Sequence, residues 1–163
     1  MAVSDDELMR VALVEARKAM AADEVPIGAV IAIDGAIVST AFNQPIYTVD
    51  PTAHAEIRAI RAAAQAIGNY RLTGATLCVT VEPCAMCVGA LVHARIGTLI
   101  YGAPEPKTGA VISTLKLLDD PSWNHRVSVV AGVMASDCRT LMQEFFQKKR
   151  ALAKQNQGLG IGD

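Results

Sequence analysis

Cys84 and Cys87 stand three residues apart in Pro83-Cys84-Ala85-Met86-Cys87, at the expected start of a helix. That spacing puts both thiols on one helix face. The positive end of a helix favours thiolates, the form that binds metal. Two soft ligands do not complete a site. Thiolates joined by an imidazole suit Zn²⁺, and a catalytic zinc takes three protein ligands and leaves a fourth position for water. The chain offers His54, His93 and His125. His54 is set apart by its neighbours, Pro51-Thr52-Ala53-His54-Ala55-Glu56, which place it in the first turn of another expected helix. Residues two apart do not share a helix face, so Glu56 is badly placed as a fourth ligand. It is left free to reach a water on the metal from the side, a reach that sequence spacing alone does not establish.

Each of these features has a plainer reading alone. A C-x-x-C is also a redox pair or half of a structural zinc site. A lone histidine is more often a satisfied polar residue than a ligand, and a helical glutamate is usually solvated. His93, at the end of an expected helix, reads as structural, and His125, between Asn124 and Arg126, as either structural or substrate-side. Cys78 in a strand and Cys138 in the last helix read as small buried hydrophobes.

Taken together and in this order, His54-Ala55-Glu56 and Pro83-Cys84-Ala85-Met86-Cys87 are identified as the H-x-E and P-C-x-x-C signature of zinc nucleobase deaminases. From about Val11 to Arg150 the chain resembles the bacterial tRNA-specific adenosine deaminases, which convert adenosine to inosine at the wobble position of an arginine tRNA. The resemblance runs through Val25 to Val30, Asn43-Gln44-Pro45, Asp50 to Ile57, Asn69 to Leu72, Val81 to Cys87, Lys107 to Ala110, Asn124 to Val127 and Phe145-Phe146. The two motifs are shared with guanine deaminases, and the stretches from Lys107 onward favour tRNA. The resemblance implies one zinc per chain on His54, Cys84 and Cys87, Glu56 as proton shuttle, Asn43 on the flipped base, and a homodimer. Where relatives often carry an aspartate before Lys107, this chain has Pro104-Glu105-Pro106.

Several elements must position these residues. Ser4 and Glu7 form a capping box before apolar residues at helical spacing from Leu8 to Met20. Ile27 to Ile33 and Ala36 to Ala41 flank Asp34-Gly35, a hairpin signal. A polar loop from Phe42 to Asp50 leads to a helix expected from Pro51, behind an Asp50 cap, to Gly68. A strand from Ala75 to Val81, a helix from Pro83 to before Gly97, and strands at Thr98 to Tyr101 and Val127 to Val133 follow. A last helix runs from near Ser136 to about Lys154. The order is that of an α/β protein, a three-layer α/β/α sandwich with a mixed five-stranded sheet, cytidine deaminase-like by the resemblance. Residues 1–154 are expected to form one zinc-dependent deaminase domain, with 155–163 as a mobile tail.

With 163 residues and 52% hydrophobic content, the chain suits one well-buried domain. An acidic start from Met1 to Glu7 and the lack of a long apolar run point to a cytoplasmic protein without a membrane segment. Four cysteines are too few for a disulfide framework. The net charge of −1 hides an asymmetry, since Asp137 to Lys154 carries +3 and the remainder −4. Cations late in a helix complement its dipole without needing a partner. Read functionally, Lys148, Lys149 and Arg150 contact phosphates of an anticodon stem-loop. Lys107 and Phe146, at the resembling stretches, complete the expected substrate contacts. A small-molecule deaminase acting on guanine or cytosine is the alternative. A non-catalytic zinc-stabilised domain fits less well, since a closed structural site needs no acid beside it.

Overall fold

The computed structural model describes residues 2–158. Helix α1 spans Asp5–Ala21 and opens on the expected capping box, with Glu7 N–H donating to Ser4 Oγ (3.2 Å) and Ser4 N–H to Glu7 Oε2 (3.1 Å). Strands β1 (Gly28–Ile33) and β2 (Ala36–Phe42) pair antiparallel across Asp34-Gly35. Both turn residues take positive φ, 52° and 78°, the twist a two-residue hairpin requires. The loop expected after β2 contains a short helix, α2 (Pro45–Thr48). Helix α3 (Ala55–Ile67) is followed by β3 (Thr76–Val81), α4 (Ala85–His93), β4 (Thr98–Ala103), a 3₁₀ turn at Leu117–Asp119, β5 (Ser128–Ala131) and α5 (Ala135–Gly158).

Several boundaries differ from expectation; the helix expected from Pro83 starts at Ala85, and β5 is shorter than Val127 to Val133. The third helix starts at Ala55, not at Pro51. Asp50 turns its carboxylate onto the backbone N–H and hydroxyl of Thr52 (2.8 and 2.7 Å), closing a local turn that delays the helix. His54 is thereby the N-cap and not a first-turn residue. The last helix runs four residues past Lys154, so 155–158 are helical. Residues 159–163 of the expected tail lie outside the described residues.

The sheet order is β2-β1-β3-β4-β5, with β1 antiparallel to β2 and β3, and β4 parallel to β3 and β5. Alternation sends successive strand residues to opposite layers. Ala29, Ile31, Leu77, Val79, Leu99 and Tyr101 join Ala55, Ala59 and Ala63 of α3 and Val88, Leu91 and Val92 of α4 in one core. Val30, Ala32, Cys78 and Ile100 face the other way, onto Leu8, Met9, Ala12 and Leu13 of α1 and Cys138 and Leu141 of α5. This is the expected three-layer sandwich. Among the described residues no helix is long and apolar enough to cross a membrane.

Candidate metal centre and substrate cavity

Strands β3 and β4 run parallel, so their carboxyl ends, at Val81 and Ala103, open on the same side. In open α/β sheets ligands bind beyond such ends. From β3 the chain passes through Glu82 and Pro83 to Cys84, the N-cap of α4, with Cys87 one turn on. His54 arrives as the N-cap of α3. Both ligand-bearing helices therefore point their N-termini at one place.

His54 Nδ1 lies 3.6 Å from Cys84 Sγ and 3.5 Å from Cys87 Sγ. The three ligand atoms all fall within 4.8 Å of one another. With bonds of about 2.3 Å to sulfur and 2.0–2.1 Å to nitrogen, a tetrahedral zinc sets such ligands about 3.6 Å apart. The donor set and its spacing fit that metal. The protons tell the same story. A hydrogen bond with Cys87, opposed by burial and reinforced by His54, holds the Cys84 thiol down at about 4. The same contact and its own burial push the Cys87 thiol up. His54 is raised, chiefly by Cys84. Two sulfurs and an imidazole thus crowd around one point and compete over protons, an arrangement that a dication relieves.

Glu56, the second residue of α3, is 3% exposed, and burial raises its pKa. Its Oε1 has no hydrogen-bond partner among the described residues. Neither has the Oδ1 of Asn43, also buried. A buried oxygen without a partner is costly, so each of these atoms calls for an explanation, a catalytic role or a bound partner among them. Glu82, a second buried acid nearby, is different. Burial would raise it, but hydrogen bonds from Ile112, Ser113 and Glu105 outweigh that and hold it at about 2.

A cavity of about 680 Å³ opens at the cluster, within the range of small-ligand sites. His54, Glu56 and Cys84 line it, together with the loop 104–108 and one face of α5. That face carries Arg139, Met142, Gln143, Phe146 and Arg150, a spacing of three and four residues that keeps a single helical stripe. Lys107, Phe146 and Arg150 are thus placed at the cavity. Lys149 is not. It pairs with Asp23 at 2.7 Å and lies over the Phe145 ring, in a separate groove between α1 and α5 that Lys148 also lines. Asn43 does not line the cavity, although the backbone N–H of the next residue, Gln44, bonds Ala53, the neighbour of His54. Arg139, one of the cations behind the +3 of the last helix, also lines the cavity. The signal for it was its position eleven residues before Arg150, three helical turns away on one face.

The remaining candidates do not line the cavity. His125 meets the Ile96 carbonyl at 2.6 Å, and His93 packs edge-on to Trp123. Cys78 and Cys138 both contact Met9 Sδ in the core, at 3.9 and 3.7 Å.

Comparison with known proteins agrees with this geometry. The chain matches the MafB19-like deaminase family over residues 3–150. It is 48% identical over 147 residues to the tRNA-specific adenosine deaminase of Haemophilus influenzae, covering 90% of this chain and 85% of that one. The chain belongs to the tRNA-specific adenosine deaminases. The member from Bacillus subtilis is 42% identical over 158 residues, covering 94% and 98% of the two chains. A solved structure from work on A-to-I editing by tRNA:A34 deaminases at the wobble position matches with a TM-score of 0.80. Its identity is 46%, over 82% of this chain and 97% of that one. The mixed sheet and its flanking helices are those of the family's cytidine deaminase-like fold.

Proposed function

We propose that this protein hydrolyses adenosine to inosine at the wobble position of a tRNA anticodon, using one zinc per chain. The observation that carries the reading is the unpartnered, buried Glu56 Oε1 beside the convergent His54, Cys84 and Cys87. Zinc on these three ligands supplies, when bound, a water activated at neutral pH. Glu56 would take a proton from the attacking water and deliver it to the ring nitrogen next to the amino-bearing carbon. It would then take the proton of the hydroxyl newly joined to that carbon and hand it to the departing amine. The carbon gains an oxygen, its bond to nitrogen breaks, and ammonia leaves, with no change of oxidation state. Burial suits Glu56 to this task, since a raised pKa lets a carboxyl both accept and return a proton.

A base inside a stack does not reach such a site, so the nucleotide must be extruded from a single-stranded loop. For a contact between Asn43 and the base the support is the family resemblance, since Asn43 does not line the cavity. Phe146 offers an aromatic surface at the cavity, and Lys107 and Arg150 neutralise neighbouring phosphates. The resemblance to the family supports an arginine tRNA as substrate, a homodimer and a cytoplasmic location, with residues 1–154 as the one catalytic domain. A free guanine or cytosine substrate has less support, because the relatives at 42–48% identity are tRNA-specific. A non-catalytic zinc domain would leave the buried Glu56 carboxylate unexplained.

The tRNA reading makes a prediction that separates two adjacent cations. Arg150→Ala weakens tRNA binding and lowers the slope of log affinity against log salt by about 0.7–0.9, the effect of one lost phosphate contact. Lys149→Ala, whose cation is held by Asp23, leaves the slope unchanged. Filter-binding titrations across a salt series measure both. An unchanged slope for Arg150→Ala contradicts an RNA path along α5 and favours a free base.

A further inference from the structure

Glu82 follows β3 and precedes Cys84 by two residues, is 3% exposed, and forms no salt bridge among the described residues. Its carboxylate is nevertheless fully engaged. Oε1 accepts the Glu105 backbone N–H (3.1 Å) and the Ser113 hydroxyl. Oε2 accepts the backbone N–H groups of Val111 (3.1 Å), Ile112 (2.9 Å) and Ser113 (3.0 Å). All these donors come from one segment, 105–113, whose first residues line the cavity.

The segment is built to receive this side chain. Pro104 and Pro106 have no N–H, so Glu105 has the one backbone donor in that tripeptide, and it goes to Glu82. With its N–H committed, Glu105 turns its own carboxylate to the Lys107 N–H at 2.9 Å. At Gly109 the chain passes so close that a Cβ would collide with the Glu82 carboxyl. The Ala110 N–H also ties the segment to the Pro83 carbonyl (2.8 Å), beside the same acid.

We propose that Glu82 is a positioning residue for the substrate. It fastens the loop 105–113 to the start of the metal-bearing helix and so sets where Lys107 faces the cavity. The inference rests on the reading of the cavity as an RNA site. The two ideas are testable separately, because the loop's order does not depend on the substrate.

The test uses the zinc-loaded enzyme. In Glu82→Gln an amide with one acceptor oxygen faces a ring of donors, and some are left unmatched. Hydrogen exchange at Val111, Ile112 and Ser113, measured without RNA, should accelerate by about tenfold or more. The KM for an anticodon stem-loop should rise by about tenfold or more while kcat changes by less than about threefold, the pattern of lost uniform binding. Ser113→Ala, a milder change at an exposed position, should raise KM by about two- to fivefold with zinc retained. It carries the test if Glu82→Gln fails to fold. Unchanged exchange and KM in the folded variants overturn the proposal. So does a fall in kcat at constant KM, which would give Glu82 a part in proton transfer. Accelerated exchange in an enzyme with no activity on RNA overturns the substrate reading and leaves the clamp standing.

Discussion

Glu56→Gln keeps its zinc and its fold and loses deamination by about 10⁴-fold or more. A positioned proton carrier contributes about 10²–10⁴ in rate, and here one carboxylate serves two transfers. Glutamine has the same shape, so the packing around α3 is preserved, but it neither takes nor returns a proton. Single-turnover rates, with metal content measured on the same sample, check the result. A loss of less than about tenfold would assign the protons to another group. Glu82, which also lines the cavity, is the first alternative, and its geometry argues against it. Its oxygens are filled by the loop 105–113, and its pKa is held at about 2.

The second large effect is on the metal. His54→Ala, Cys84→Ala and Cys87→Ala should each lose zinc, because binding in comparable sites is worth on the order of 10 kcal/mol and needs the whole ligand set. The ligands also join the N-termini of α3 and α4, so metal loss loosens two helices of the same layer. If only about 3 kcal/mol of that linkage is lost, Tm falls by roughly 6–12 °C for a chain of this size. Cys78→Ala and Cys138→Ala are the controls. Burial pushes the Cys78 thiol up and holds Cys138 at about 11, so both remain neutral core groups. They should keep one zinc per chain by metal analysis. Full occupancy in any of the first three variants, or loss in either control, contradicts the ligand assignment.

How far the residues announce this site depends on whether the cause is local. The capping box at Ser4 and the hairpin at Asp34-Gly35 are short-range devices, and both form as their sequences imply. The metal motifs are local too, each lying at a helix N-terminus. Asp50-Pro51 suits a helix cap and first turn as well as an Asx turn, so the residues there do not by themselves place the start of α3. Asp50 chooses the turn, which leaves the cap to His54. In the last helix, summed charge gave the right helix but not its faces. Advancing 100° per residue leaves Lys149 only about 20° from Met142, at the edge of the stripe that lines the cavity, and only the tertiary partner Asp23 shows where it goes. Glu82 was the least legible. Its donors lie 23 to 31 residues downstream and are mostly backbone N–H groups, which carry no side-chain signature.

The central claim is most directly tested by incubating the zinc-loaded protein with an anticodon stem-loop bearing adenosine at the wobble position, and in parallel with guanine, cytosine and free adenosine. Product nucleosides are identified by mass spectrometry and ammonia is quantified in each reaction. The account predicts inosine at the wobble position alone, with ammonia released in equal amount, and turnover of the free compounds far slower. Ammonia from guanine or cytosine, with the stem-loop recovered unchanged, would contradict it.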